Sequence, residues 1–399
     1  MSDDRLLTKP FVLASLANVF NGLSFNLFLH FPGFLQDLGA AEVQIGLIVG
    51  SAAVAAIAIR PAIGAAMDVS GRRPVIIAGN IVNVIAVLLY LTVSSIGPWV
   101  YVVRIIHGLS EAVLFTALFT YGADIVPKSR LTEGLALFGT SGLLPIALGG
   151  LVGDLVLRIG EFDHLFLTAL GFSVASLLAS IPLTEPPVDP GEHPERTGFV
   201  AALRQRDLAP LWWMTAVFAF VLTAYFTFLK TFVTETSIGS VGLFFTAYVS
   251  MAIAVRVFFA RLPDRVGPKR VLFPSMLSLV AGFAVLAFAS GSGEVAIAGV
   301  FCGIGHGFGF PILYAFVVRR AGVKDRGTAV AIFTSLFDVG TLMAGPILGL
   351  IISASSYRAM FLSAGAILAA GAAVFAWWDR GAMRRAASPL ERPVPAHHT

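Results

Sequence analysis

The sequence predicts an all-α membrane protein, with twelve transmembrane helices arranged as two pseudo-symmetric six-helix bundles. Three observations carry that prediction. Of the 399 residues, 57% are hydrophobic and 13% charged, with 33 Phe, and the mean hydropathy is +0.86; soluble domains stay near half apolar and a quarter charged. Stretches long enough to cross about 30 Å of hydrocarbon recur through the chain. The same charged turn occurs twice, 196 residues apart: Arg60 to Arg73 reads RPAIGAAMDVSGRR, and Arg256 to Arg270 reads RVFFARLPDRVGPKR.

Taken in order, the first six spans fall at roughly 11–34, 43–66, 74–95, 99–123, 134–157 and 164–183. The second six fall at roughly 209–233, 239–262, 271–290, 294–318, 328–352 and 357–378. This gives a first bundle over 1–183, a linker over 184–208 holding Pro186, Pro187, Pro190 and Pro194, a second bundle over 209–378, and a tail over 379–399. Within the linker, Phe199 to Arg206 reads as a short surface helix. With the N-terminus inside, 21 Lys and Arg collect on the inner side and only Arg158 and Arg358 on the outer, the positive-inside asymmetry of a multi-pass membrane protein with both termini cytoplasmic. Four basic residues stay within spans: Arg60, Arg104, Lys230 and Arg256. Trp99, Trp212, Trp213, Trp377 and Trp378 all sit at span ends, where amphipathic rings meet headgroups.

Other classes find little support. Asp3 and Asp4 argue against a cleaved signal peptide, so the first span is expected to remain. The single Cys302 excludes an intrachain disulfide and reads as helix packing. The net charge of +4 resides in the inner loops; it suits anionic lipid headgroups and needs no nucleic-acid partner. No HExxH, GxSxG, Walker A or CxxC occurs, so no enzyme, cofactor or metal site is expected.

The turn Gly64-x-x-x-Asp68-x-x-Gly71-Arg72-Arg73, its copy Asp264-Arg265-x-Gly267-x-Lys269-Arg270 and the twelve spans resemble the major facilitator superfamily over about residues 11–378. The resemblance implies a conformational switch involving Arg60, Asp68, Gly71, Arg72 and Arg73, with Arg256, Asp264, Arg265 and Gly267 in the second half. An ordinary positive-inside loop is the plainer reading. Span four carries Arg104-Ile105-Ile106-His107-Gly108, similar to the family's Arg-x-x-Gln-Gly element. Arg104, His107, Gly108 and Glu111 share one helical stripe, a proton-coupling or substrate-binding set on one reading and a static ion pair on the other. Asp338, in FDVGTLMAGPILG of span eleven, resembles the motif of sugar-efflux and drug:proton antiporter members; it is a gating or proton site, or a packing group paired with a residue such as His306.

His306, among the glycines of GIGHGFGFP, is a substrate contact, a point of movement or a close-packed residue. Phe28-Leu29-His30 and Phe228-Leu229-Lys230 lie 200 residues apart in corresponding spans. There His30 and Lys230 face an outer vestibule and attract an anionic or hydroxyl-rich solute, or Lys230 snorkels to the surface. Asn21, with Asn18 and Asn26, adds hydrogen-bonding capacity to span one. The family's antiporter signature in span five is altered here, with Gly142, Pro145, Gly149 and Gly150 spaced differently. The expectation is a proton-coupled secondary active transporter moving a small organic solute by alternating access, with a lean to export. A proton-coupled importer and a passive lipid or ion conductor remain the alternatives. Its partners are the solute, protons and membrane lipids, with no obligate protein partner.

Overall fold

The computed structural model describes residues 6–127, 131–186, 203–259, 261–321 and 326–386, and these are almost wholly helical. Among the described residues, twelve helices are long and apolar enough to cross a membrane. They are α1 (Lys9–Asp37), α2 (Glu42–Ser70), α3 (Arg72–Leu89), α4 (Pro98–Ile125), α5 (Leu131–Ile159), α6 (Phe162–Ser180), α7 (Ala209–Thr236), α8 (Val241–Phe258), α9 (Pro268–Ala287), α10 (Ser292–Arg320), α11 (Arg326–Ala354) and α12 (Tyr357–Ala386). Odd-numbered helices finish at one end of the molecule, called here the far end. The opposite end holds the Arg72–Arg73 turn and is called the basic end.

Local chemistry sets the boundaries. α1 tightens into a 3₁₀ turn at Phe28–His30, because Pro32 follows and has no N–H to offer the preceding turn. The α2–α3 connection is a single residue, Gly71, at φ 86°, a conformation that side chains with a Cβ resist. α8 stops at Phe258, short of the span expected to run to 262, and a separate helical turn at Leu262–Val266 leads into Gly267.

The two halves pack alike. In the first, α1 lies on α5 and α6, α2 on α4, and α3 on α4 and α6; in the second, α7 lies on α11 and α12, α8 on α10, and α9 on α10 and α12. The bundles meet along α2–α11 and α5–α8. What fills each bundle differs. The first is laced by amides and hydroxyls: Asn83 donates to Ser173 at 2.9 Å, Ser110 to Asn83 at 3.1 Å and Asn80 to Ser180 at 3.2 Å. Such interhelical bonds hold α3, α4 and α6 at on the order of 0.6 kcal/mol each. The second is aromatic, with fully buried Tyr225 among Phe244, Phe245, Tyr248 and Phe283.

One interfacial expectation needs adjusting. Trp213, Trp377, Trp378 and Trp99 are exposed, but Trp212 is buried. Residues 199–202 of the expected surface helix, most of the linker and the tail from residue 387 lie outside the described residues.

Candidate functional site

The polar groups inside the first bundle converge from α1, α4 and α5. Asn18 donates to Ser141 at 2.8 Å, and Asn21 donates to the Glu111 carboxylate at 3.3 Å. Asn26 turns back on its own helix, donating to the Gly22 carbonyl at 2.7 Å. Glu111 is half-buried, and its described hydrogen bond is the one from Asn21.

The α4 stripe is present as a helical face but divides in two. Arg104 does not reach Glu111; its guanidinium lies 3.5 Å from His107 Nδ1 and over the Phe31 ring. Tyr90 Oη stands 3.2 Å from the same nitrogen. A guanidinium only donates, so His107 Nδ1 is an acceptor and its proton sits on Nε2, which has no partner among the described residues. Phe25 and Phe28 close around the imidazole. The expected Arg104–Glu111 ion pair is therefore replaced by an Arg104–His107–Tyr90 cluster. Gly108 meets the backbone of Ala52, bringing α2 close enough to shut this cluster away.

Asp338 pairs across the halves. Arg60 Nε donates to its carboxylate at 2.6 Å, with both side chains partly exposed. The suggested His306 partner is wrong, because His306 lies against Tyr248 of its own bundle and among Phe218 and Phe310. Arg256, the counterpart of Arg60, also stays within its bundle, donating to the Gly307 carbonyl at 3.4 Å. The pseudo-symmetry of sequence thus ends in asymmetric chemistry: only the α2–α11 seam carries an ion pair at this depth among the described residues.

At the far end, His30 and Lys230 separate. His30 is fully buried and its Nε2 lies 2.9 Å from Asp154, so it does not face a vestibule as expected. Lys230 lines a cavity of about 530 Å³ with Gly33, Asp37, Glu161 and Asp163. Two acids that the sequence reading passed over cross between bundles here. Asp154 accepts from the Gly242 N–H at 2.6 Å, and Glu42 accepts from Tyr357 Oη at 2.6 Å and from Thr231 at 3.5 Å.

At the basic end, Arg72 Nε donates to Asp124 of α4 at 2.8 Å. The backbone N–H groups of Arg72 and Arg73 donate to Glu185 at 2.5 and 2.9 Å, an acid placed on the N-terminus of α3. In the second half Asp379 collects Lys269 and a two-pronged contact from Arg320 at 2.6 and 3.0 Å. Arg265 is exposed. The side chains of Asp68 and Asp264 lie outside the described residues. No group of three or more His, Cys, Asp or Glu able to hold a metal occurs among the described residues.

Comparison with known proteins agrees with this architecture. The sequence profile described as Major Facilitator Superfamily matches residues 12–239 and 233–397. The chain is 29% identical over 352 residues to an uncharacterized MFS-type transporter of Salmonella typhimurium, covering 85% of this chain and 88% of that one. It is 23% identical over 360 residues to the staphylopine export protein of Staphylococcus aureus, covering 86% and 88%. The crystal structure of the nucleoside transporter NupG superposes with a TM-score of 0.76 at 13% identity, over 93% of this chain and 99% of that one; this is a likeness of fold.

Proposed function

Because this chain belongs to the Major Facilitator Superfamily, we propose that it exports a small organic solute from the bacterial cytoplasm in exchange for protons, alternately opening one site between its two bundles. The basic end faces the cytoplasm in this reading, which the asymmetry of Lys and Arg supports. The observation that carries the proposal is the Arg60–Asp338 pair at 2.6 Å, a charged contact inside the membrane that joins the two bodies required to move apart. When α2 and α11 separate, Asp338 loses its cation and is free to take a proton.

Glu111 is the second proton site. It is held by the Asn21 amide rather than by a cation, so its charge is not locked by an ion pair. Arg104 and His107 set the field beside it. Asn21 and His306 contribute to the solute path from opposite bundles, while Lys230, with His30 behind it, stands at the far-end mouth. Export is favoured over import by the similarity to the staphylopine export protein.

The test uses inside-out vesicles holding an acid interior, with ethidium, a nucleoside and a dicarboxylate added in turn. At least one probe is expected to release protons through the wild type but not through Glu111→Gln made at equal level. Probe movement without proton release from the wild type contradicts the coupling.

A further inference from the structure

The far-end contacts form a pattern that follows the internal symmetry of the first bundle. α2 and α5 are the middle helices of successive three-helix groups, and they run in opposite directions. On α2 the acid precedes a glycine by four residues, Glu42 and Gly46; on α5 it follows a glycine by four, Gly150 and Asp154. Reversal of the helix reverses the order, so each acid lies one turn toward the far end from its glycine.

Each glycine marks a close approach to the second bundle. Gly46 meets the backbone of Gly345, and Gly349 meets the backbone of Glu42. A Cβ on Gly150 would stand 3.1 Å from the Cα of Gly242. Each acid then accepts a hydrogen bond from beyond its seam. Glu42 takes the Tyr357 hydroxyl of α12 and the Thr231 hydroxyl of α7. Asp154 takes the N–H of Gly242, in the first turn of α8, where helix N–H groups lack partners and favour negative charge.

We propose that Glu42 and Asp154 are paired positioning residues for transport: an inverted-repeat clasp that holds the far end shut and is released when the solute path opens there. The assignment rests on alternating access between the bundles, and on neither proton coupling nor transport direction. The clasp is built for release. Both carboxylates are partly exposed, Asp154 at 26%, so water replaces the lost donors when the seam parts. His30, on the same bundle as Asp154, lies 2.9 Å from that carboxylate, and this contact does not cross the seam.

Spin-label distance measurement tests this in the full chain in lipid nanodiscs. Labels go on Ser94→Cys and Ser355→Cys, exposed far-end positions of the two halves, in a Cys302→Ala background. The wild type is expected to show a dominant short distance and a minor long one. Combining Glu42→Ala with Asp154→Ala raises the long-to-short ratio by about a hundredfold or more, as loss of two charge-assisted bonds predicts. Tyr357→Phe, which removes a donor and keeps the acid, shifts the ratio the same way by less. Glu42→Gln with Asp154→Asn keeps a carbonyl acceptor at each position and restores part of the short population; it also reads the clasp if the alanine pair fails to fold. Two wild-type populations that neither the alanine pair nor Tyr357→Phe redistributes overturn the assignment. A wild type confined to one distance while it transports overturns alternating access itself, and the clasp with it.

Discussion

Neighbouring polar residues on α4 answer to different physics. His107 is fully buried between Phe25, Phe28 and Tyr90, and His107→Ala leaves a cavity costing about 2–4 kcal/mol, seen as a lowered unfolding midpoint in detergent. Glu111, one turn further on, is half-buried with a single amide donor. Glu111→Gln conserves volume and still accepts from Asn21, so its midpoint is expected within about 1 kcal/mol of wild type, while proton-coupled flux is lost. An equal loss of stability in both variants would remove the distinction. The sequence placed both residues on one stripe correctly. It did not reveal that Arg104 turns toward His107, because Tyr90 and Phe31, which hold the guanidinium there, come from other helices.

At the scale of helices and turns, the Arg72–Asp124 contact at the basic end is partly exposed and weak. The Arg72–Asp124 pair is 13% and 31% exposed on its two sides, and exposed pairs are worth about 0–1 kcal/mol. Asp124→Asn is therefore expected to unfold almost as wild type does, yet to turn over more slowly because the α2–α3 turn loses its hold on α4. Unchanged turnover would make the turn a topological loop only. The α2–α11 seam behaves oppositely. Gly345 abuts the Gly46 backbone, so Gly345→Leu is expected to keep the seam apart and abolish transport in a folded protein. Helix positions were legible because hydrophobic length and basic asymmetry are local signals. The seams were not: Glu42 and Tyr357 lie 315 residues apart, and a short helical turn such as Leu262–Val266 has too few residues to interrupt an apolar stretch visibly.

For the whole molecule, duplication explains the fold better than it explains the site. The halves share their packing scheme, yet Arg60 reaches Asp338 of the other half whereas Arg256, among the described residues, donates to the Gly307 carbonyl within its own. Exchanging the charges with Arg60→Asp and Asp338→Arg is expected to recover part of the flux that either change alone removes, and no recovery would mean that Asp338 acts apart from the pair.

The most direct measurement is solute accumulation in inside-out vesicles driven by an imposed acid-inside gradient, with ethidium, a nucleoside and a dicarboxylate as probes. One probe is expected to rise above its external concentration, to fall back when the gradient is dissipated, and to fail to accumulate in Glu111→Gln. Every transported probe merely equilibrating, whether or not the gradient is present, would contradict proton-driven export.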